Sequence, residues 1–108
     1  MEAWPGFDRV VHEPLRFLIL ESLYTQEMSF SNLLHSLRKS MKDLSSGNLA
    51  GHLRYLEKAG YINSRRWFEG RKPSVRYAIS ELGKRKFEEY VSGTISRLKK
   101  SLRLIKKS

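Results

Sequence analysis

At Gly60 the periodicity of the sequence changes, and no other feature restricts the possible folds as strongly. Before it, Ser45–Ile62 reads SSGNLAGHLRYLEKAGYI, with Leu49, Leu53 and Leu56 at helical spacing. At about 100° per residue, Leu53 and Leu56 fall at about 40° and 340° from Leu49, so the three leucines form one narrow stripe. After Gly60, YINSRRWF and SVRYAIS are rich in β-branched and aromatic residues that favour strands, and EGRKP between them carries turn residues. A helix at about 46–59 therefore stops on a left-handed glycine and gives way to a hairpin at about 61–79. Such a chain must pack one helix stripe and one sheet face on a common core.

The remaining elements follow from the same rules. EPLRFLILESLY puts Leu15, Leu18, Ile19 and Leu23 on one stripe, with Pro14 at a first-turn position. A short extended piece is expected at Met28 to Phe30, with Ser31 capping a second helix that carries Leu33, Leu34 and Leu37. Ser80 caps a last helix running to about 107. Its Phe87, Val91, Ile95, Leu98, Leu102 and Ile105 step by four or three residues, a seam longer than a small core requires. The expected fold class is mainly α with a small β-hairpin (α+β), in one domain over 1–108. Its core spans about 8–80 and the last helix about 81–107. No internal repeat or low-complexity linker interrupts it.

Charge gives the first indication of a partner. The net charge is +10, yet residues up to Arg54 hold six Lys/Arg and six Asp/Glu. From Tyr55 onward there are fifteen basic and five acidic residues, so the whole excess lies in the second half. A basic excess confined to one part is an electrostatic footprint for a polyanion; the alternative is a generally basic surface that only keeps the protein soluble. With no cysteine, disulfides, thiol redox sensing and zinc-finger folding are excluded. No apolar run approaches the ~20 residues of a membrane span. The opening MEAWPGFDRVVHEP has acids and a proline where a signal peptide has a basic and then an apolar stretch. A soluble, cytoplasmic and nucleoid-associated protein without a membrane partner is expected.

The sides of the third helix that its leucines leave free carry Gly47, Gly51, Arg54 and Lys58, with Asn48 and Tyr55 beside them and His52 at the rim. Each glycine inside a helix costs about 1 kcal/mol relative to alanine, so something else must favour it. Close approach to a phosphate or base is one reason, and Asn48 suits bidentate contact with adenine. Ser45, Ser46, Asn48, Gly51, His52, Arg54 and Tyr55 are therefore the expected DNA contacts of a recognition helix. The alternative is that Gly47 shapes the cap and His52 packs at a boundary. On the hairpin, Arg65, Arg66, Arg71, Lys72 and Arg76 surround Gly70 and Pro73. They are expected on phosphates or in the minor groove, where five neutralised phosphates would each contribute about −0.9 to the slope of log K against log salt. Otherwise the arginines only blunt an edge strand. Trp67, Phe68 and Tyr77 are expected to pack the hairpin onto the core rather than stack on bases.

Helix, turn-bearing connection, helix and two-stranded wing resemble winged helix-turn-helix transcriptional regulators, of the small prokaryotic, archaeal type related to the ArsR, MarR and PadR families. HLRYLEKAGYI at His52–Ile62 is similar to the ArsR-like pattern H-L-x-x-L-x-x-A-G-L-V. FEGRKPSVRYAISELGK resembles these families' wing and the L-T-x-x-G that follows it, here Ile79-Ser80-Glu81-Leu82-Gly83. The resemblance covers about Asp8 to Val91. It departs at Ala50, where the pattern has serine, so that contact is not carried over. Metal-sensing ArsR relatives use Cys or His clusters, whereas this chain has only His12, His35 and His52, spread over three elements; no metal and no cofactor are expected.

The last helix has six basic residues after Glu89 and no acid, and its seam would lie exposed on a monomer. A homodimer interface through Val91, Ile95, Leu98, Leu102 and Ile105 buries it, as the resemblance to dimeric regulators also implies. A basic amphipathic helix fits a membrane surface too, but few aromatics mark its far end. The expected function is a dimeric, sequence-specific regulator that binds double-stranded DNA and represses by occluding a promoter. The alternative is a sequence-neutral architectural DNA-binding or RNA-binding protein. No paired carboxylates, Ser-His-Asp or Cys-His arrangement or phosphate-cradling glycine loop indicates an enzyme. A small-molecule effector stays open, since no residue names one.

Overall fold

The computed structural model describes residues 3–108, so Met1 and Glu2 of the expected domain lie outside the described residues. The elements run α1 (Pro14–Leu23), β1 (Met28–Ser29), α2 (Phe30–Leu37), α3 (Ser46–Lys58), β2 (Ile62–Glu69), β3 (Lys72–Ile79) and α4 (Glu81–Lys107). Four helices and one small antiparallel sheet make the α+β architecture that the sequence implies. Leucines of α1, α2 and α3 meet Val11, Tyr61, Ile62 and Tyr90 in one core. Among the described residues no helix is long and apolar enough to cross a membrane.

Local signals fix most element ends. Pro14 opens α1, and the Glu13 side chain caps it by accepting the Arg16 N–H at 2.8 Å. Ser45 caps α3 by accepting the Asn48 N–H at 3.0 Å. At the other end Gly60 takes φ +85°. There the Gly60 N–H reaches Glu57 O at 3.0 Å and the Tyr61 N–H reaches Leu56 O at 2.9 Å. This pair of bonds is a Schellman stop, and it turns the chain straight into β2.

Four expectations need correction. Ser29, not Ser31, caps α2: its Oγ accepts the Asn32 N–H at 3.1 Å, and Phe30 is already helical. The strand ends there because Met28 and Ser29 pair with Tyr77 and Arg76 of β3, making a three-stranded sheet in the order β1-β3-β2 rather than a lone hairpin. On α1, Leu20 is buried while Leu18 is only half-buried, since the helix is enclosed on a face wider than one stripe. Trp67 and Phe68 do not pack on the core, being 41% and 66% exposed. Two eight-residue strands carry the hairpin past the body of the protein, so only its base, Ile62, Tyr77 and Ile79, reaches the interior.

The N-terminal segment folds back over α4. Trp4, Phe7, His12, Phe17, Tyr90, Phe87 and Tyr24 form a chain of ring contacts with centroids 4.9–6.1 Å apart. The Tyr90 hydroxyl lies 2.6 Å from His12 Nδ1, and the Tyr61 hydroxyl donates to Asp8 Oδ2 at 2.6 Å. Burial, and then the bond to Asp8, push the Tyr61 phenol above the usual tyrosine range. The start of α4 is seated on the α3 stop: Ser80 N–H donates to Tyr61 O at 2.9 Å and Ser80 Oγ to Gly60 O at 2.6 Å. Gly83 lies so close to this junction that a Cβ there would sit 2.1 Å from Tyr61 O. Beyond residue 100 every residue of α4 is exposed, and the helix runs about 40 Å in all at 1.5 Å per residue.

Candidate nucleic-acid interface

On α3 the leucine stripe is wholly buried, and the opposite side faces outward as expected. Ser46, Asn48, Arg54 and Tyr55 are exposed. The Asn48 side chain makes no hydrogen bond among the described residues, so its amide is free to read a partner. A Cβ placed on Gly47 would meet nothing within 4 Å, and one on Gly51 only Arg54 Nη2 at 3.9 Å. Neither glycine takes a positive φ. Both are therefore unexplained by the packing or backbone of the chain itself, unlike Gly60 and Gly83.

Three members of the expected set are engaged within the protein. Ser45 Oγ already accepts the α3 cap bond, which ties the hydroxyl to the start of the helix. His52 is half-buried and turns toward α1, with Nδ1 3.9 Å from Glu13 Oε1 and 3.5 Å from Arg16 Nη1. The Tyr55 ring is covered on one face by the Arg16 guanidinium, 4.4 Å from its centroid. Arg16 was not legible as a site residue, because its neighbours in sequence are those of a core helix. It lines a cleft of about 220 Å³ with Gly47, Asn48, Gly51, His52 and Tyr55.

The hairpin cations divide into two groups. Arg65 holds Glu27 through two bonds, Nη2 to Oε1 at 2.6 Å and Nε to Oε2 at 3.4 Å, and its guanidinium lies 4.4 Å from the Trp67 ring. Arg76 is half-buried on the same face, 3.8 Å from Glu27 and 5.6 Å from Trp67, and its Nε is buried without a hydrogen-bond partner. These two brace the base of the wing against the turn before β1, and Trp67 serves as their platform. Arg66, Arg71 and Lys72 are exposed, and no carboxylate pairs with them among the described residues. The turn at Gly70 and Arg71 joins Glu69 to its cross-strand partner Lys72, so the free cations gather toward the tip. At the base, burial raises the Tyr77 phenol, Glu57 adds to that, and Arg54 opposes it, which puts α3 charges beside the sheet.

On α4, Val91 is half-buried while Ile95, Leu98, Leu102 and Ile105 are 50%, 61%, 49% and 69% exposed. The expected seam is thus left uncovered by the rest of the chain. Phe87, one turn earlier, turns inward against Phe17 and Tyr24.

Residues 15–102 match the family described as a winged helix DNA-binding domain. No curated protein matches the chain in sequence. Among solved structures, a transcriptional regulator homologue from Pyrococcus horikoshii is similar with a TM-score of 0.71 at 22% identity, covering 85% of this chain and 87% of that one. A PadR family transcriptional regulator from Eggerthella lenta gives 0.70 at 20% identity, over 84% and 83% of the two chains. Bacillus subtilis PadR in complex with operator DNA gives 0.65 at 19% identity, over 73% of this chain and 48% of PadR. At these identities the likeness establishes the fold.

Proposed function

Because the chain belongs to the winged helix DNA-binding domain family, we propose that it is a dimeric, sequence-specific transcriptional regulator that represses by covering a promoter. Its neighbours among solved structures include PadR proteins, and the ArsR-like pattern at His52–Ile62 supports a wider relation within the ArsR, MarR and PadR group. Residues 1–108 act as one domain without enzymatic activity, in the cytoplasm on the nucleoid. In this reading α3 lies in the major groove with Asn48 and Arg54 toward base edges. Arg66, Arg71 and Lys72 follow the phosphates of the neighbouring backbone. Arg65 and Arg76 hold the wing at its angle, so the free wing cations per protomer number three rather than five.

The observation that carries this reading is the open space over Gly47 and Gly51. Glycine lowers helix stability by about 1 kcal/mol relative to alanine, and nothing inside the chain demands it at these positions. A duplex pressed against the helix backbone does. Gly51→Ala should therefore raise the stability of the protein by about 0.5–1 kcal/mol and yet weaken binding. The duplex used is one selected by the parent chain from random DNA, and its affinity should fall by about tenfold or more, read by fluorescence anisotropy. A variant that is more stable and binds as well as the parent would take the duplex away from this face. If the parent selects no sequence and binds all duplexes alike, an architectural role replaces the regulatory one.

Arg71→Ala tests the wing. Affinity should fall equally on selected and random duplexes, and the salt slope should drop by about 0.9 for each phosphate lost. A loss confined to the selected sequence would remove Arg71 from the phosphates and make it a base contact.

A further inference from the structure

Arg16 stands on α1, outside the helix and the wing that carry the expected contacts, yet its guanidinium is held beside them. Nε donates to Val10 O at 2.7 Å and Nη2 to Arg9 O at 3.3 Å. Nη1 lies 3.5 Å from His52 Nδ1, and the flat face rests 4.4 Å from the centre of the Tyr55 ring. Its five N–H groups are thus only partly spent, and the guanidinium lines the cleft it shares with Gly47, Asn48 and Gly51. The two carbonyl anchors are neutral, and no carboxylate pairs with the guanidinium among the described residues. The full positive charge therefore remains, fixed in position, on the face where the glycines leave space.

We propose that Arg16 binds a DNA phosphodiester at the flank of the major groove that receives α3, and that Tyr55 is the residue that positions it. This rests on the DNA-binding reading above and adds to it a contact from α1. The choice of a phosphodiester over a base edge follows from reach. A side chain tied back to the carbonyls of residues 9 and 10 cannot extend along the groove floor. It meets what borders the groove when α3 is inside, and that border is the sugar–phosphate backbone. A guanidinium also presents paired N–H groups to two phosphate oxygens at once, which a single ammonium does not. Tyr55 then acts through its ring face, a surface already occupied by Arg16 and closed to base stacking.

The test uses the full chain and a labelled duplex selected by the parent, with affinity measured over a series of KCl concentrations. Arg16→Gln is expected to bind about tenfold or more weakly, on selected and random sequences alike, with a salt slope lower by about 0.9 per protomer. Arg16→Lys should keep most of the slope and lose part of the affinity. Tyr55→Leu should lose affinity on all sequences and lower the slope as Arg16→Gln does, and Tyr55→Phe, which restores the ring face under Arg16, should recover the slope that Tyr55→Leu loses. Melting curves taken alongside identify any variant that fails to fold. Should Arg16→Gln be one of them, Tyr55→Leu carries the test, since it leaves both carbonyl anchors in place. Parent-like slope and affinity in a folded Arg16→Gln overturn the proposal, and so does a loss restricted to one base pair. A parent chain that ignores every duplex at low salt overturns the DNA-binding reading itself, and that outcome is read before any variant is made.

Discussion

Leu98→Lys combined with Leu102→Lys is expected to sediment as a monomer where the parent sediments as a dimer, and to bind its selected duplex a hundredfold or more weakly. The two side chains are 61% and 49% exposed on α4, in register with Ile95 and Ile105. Completing the burial of a half-exposed leucine contributes roughly 1 kcal/mol. Two positions in two protomers then remove about 4 kcal/mol, about a thousandfold in the dimer dissociation constant, before the lysine charges are counted. Lysine is the better probe than glutamate because Arg97, Lys99, Lys100 and Arg103 lie on the same stretch. A glutamate could pair with their counterparts across the seam, whereas lysine adds repulsion and preserves the basic charge that attracts DNA. The effect on binding follows from valence: two linked half-sites reinforce each other by about 10²–10⁴, and a monomer loses that factor while keeping its own contacts. Since both positions already face solvent in the single chain, far-UV circular dichroism should stay unchanged. A double variant with the parent's sedimentation mass would rule out this seam.

What could be read from the sequence was what short-range chemistry decides. Ser80 as a cap, Gly60 as a stop and the leucine stripe of α3 each depend on residues within one or two turns, and each is where the sequence puts it. Ser29 and Ser31 were equally good caps locally. The decision between them came from Met28 pairing with Tyr77, a partner 49 positions away that no local pattern signals. The same distance hid the wing's bracing. Counting cations shows Arg65 and Arg76 but not that Glu27 waits for both beneath the sheet. Trp67 illustrates a further limit, because an aromatic that fills a core and one that supports a guanidinium look alike in a sequence. Arg16 is the strongest case: its role depends on α1 and α3 crossing, and on Tyr55 arriving under it.

Gly83→Ala should lower the melting temperature by about 10–25 °C at fixed protein concentration, the opposite sign to the alanine at Gly51. At Gly83 the added carbon would lie 2.1 Å from Tyr61 O and 2.9 Å from Ile79 Cγ1. The first of these is backbone and cannot swing aside, so the start of α4 must lift by about 1 Å from the strand base, a strain at the upper end of overpacked substitutions, about 3 kcal/mol. For a domain of this size each kcal/mol moves the midpoint by about 4–8 °C. The lift also pulls on the Ser80 N–H bond to Tyr61 O and the Gly83 N–H bond to Ser80 Oγ, now 2.9 and 3.0 Å long, which join wing and α4. Gly51 and Gly83 are both helical glycines, and a scale of helix propensity alone would favour alanine at each. Only the surroundings separate them: Gly83 is required by the chain's own carbonyl, and Gly51 faces open space. If Gly83→Ala melted at or above the parent temperature, the contact between α4 and the α3 stop would be wrong, and the contrast used to assign the α3 face would fall with it.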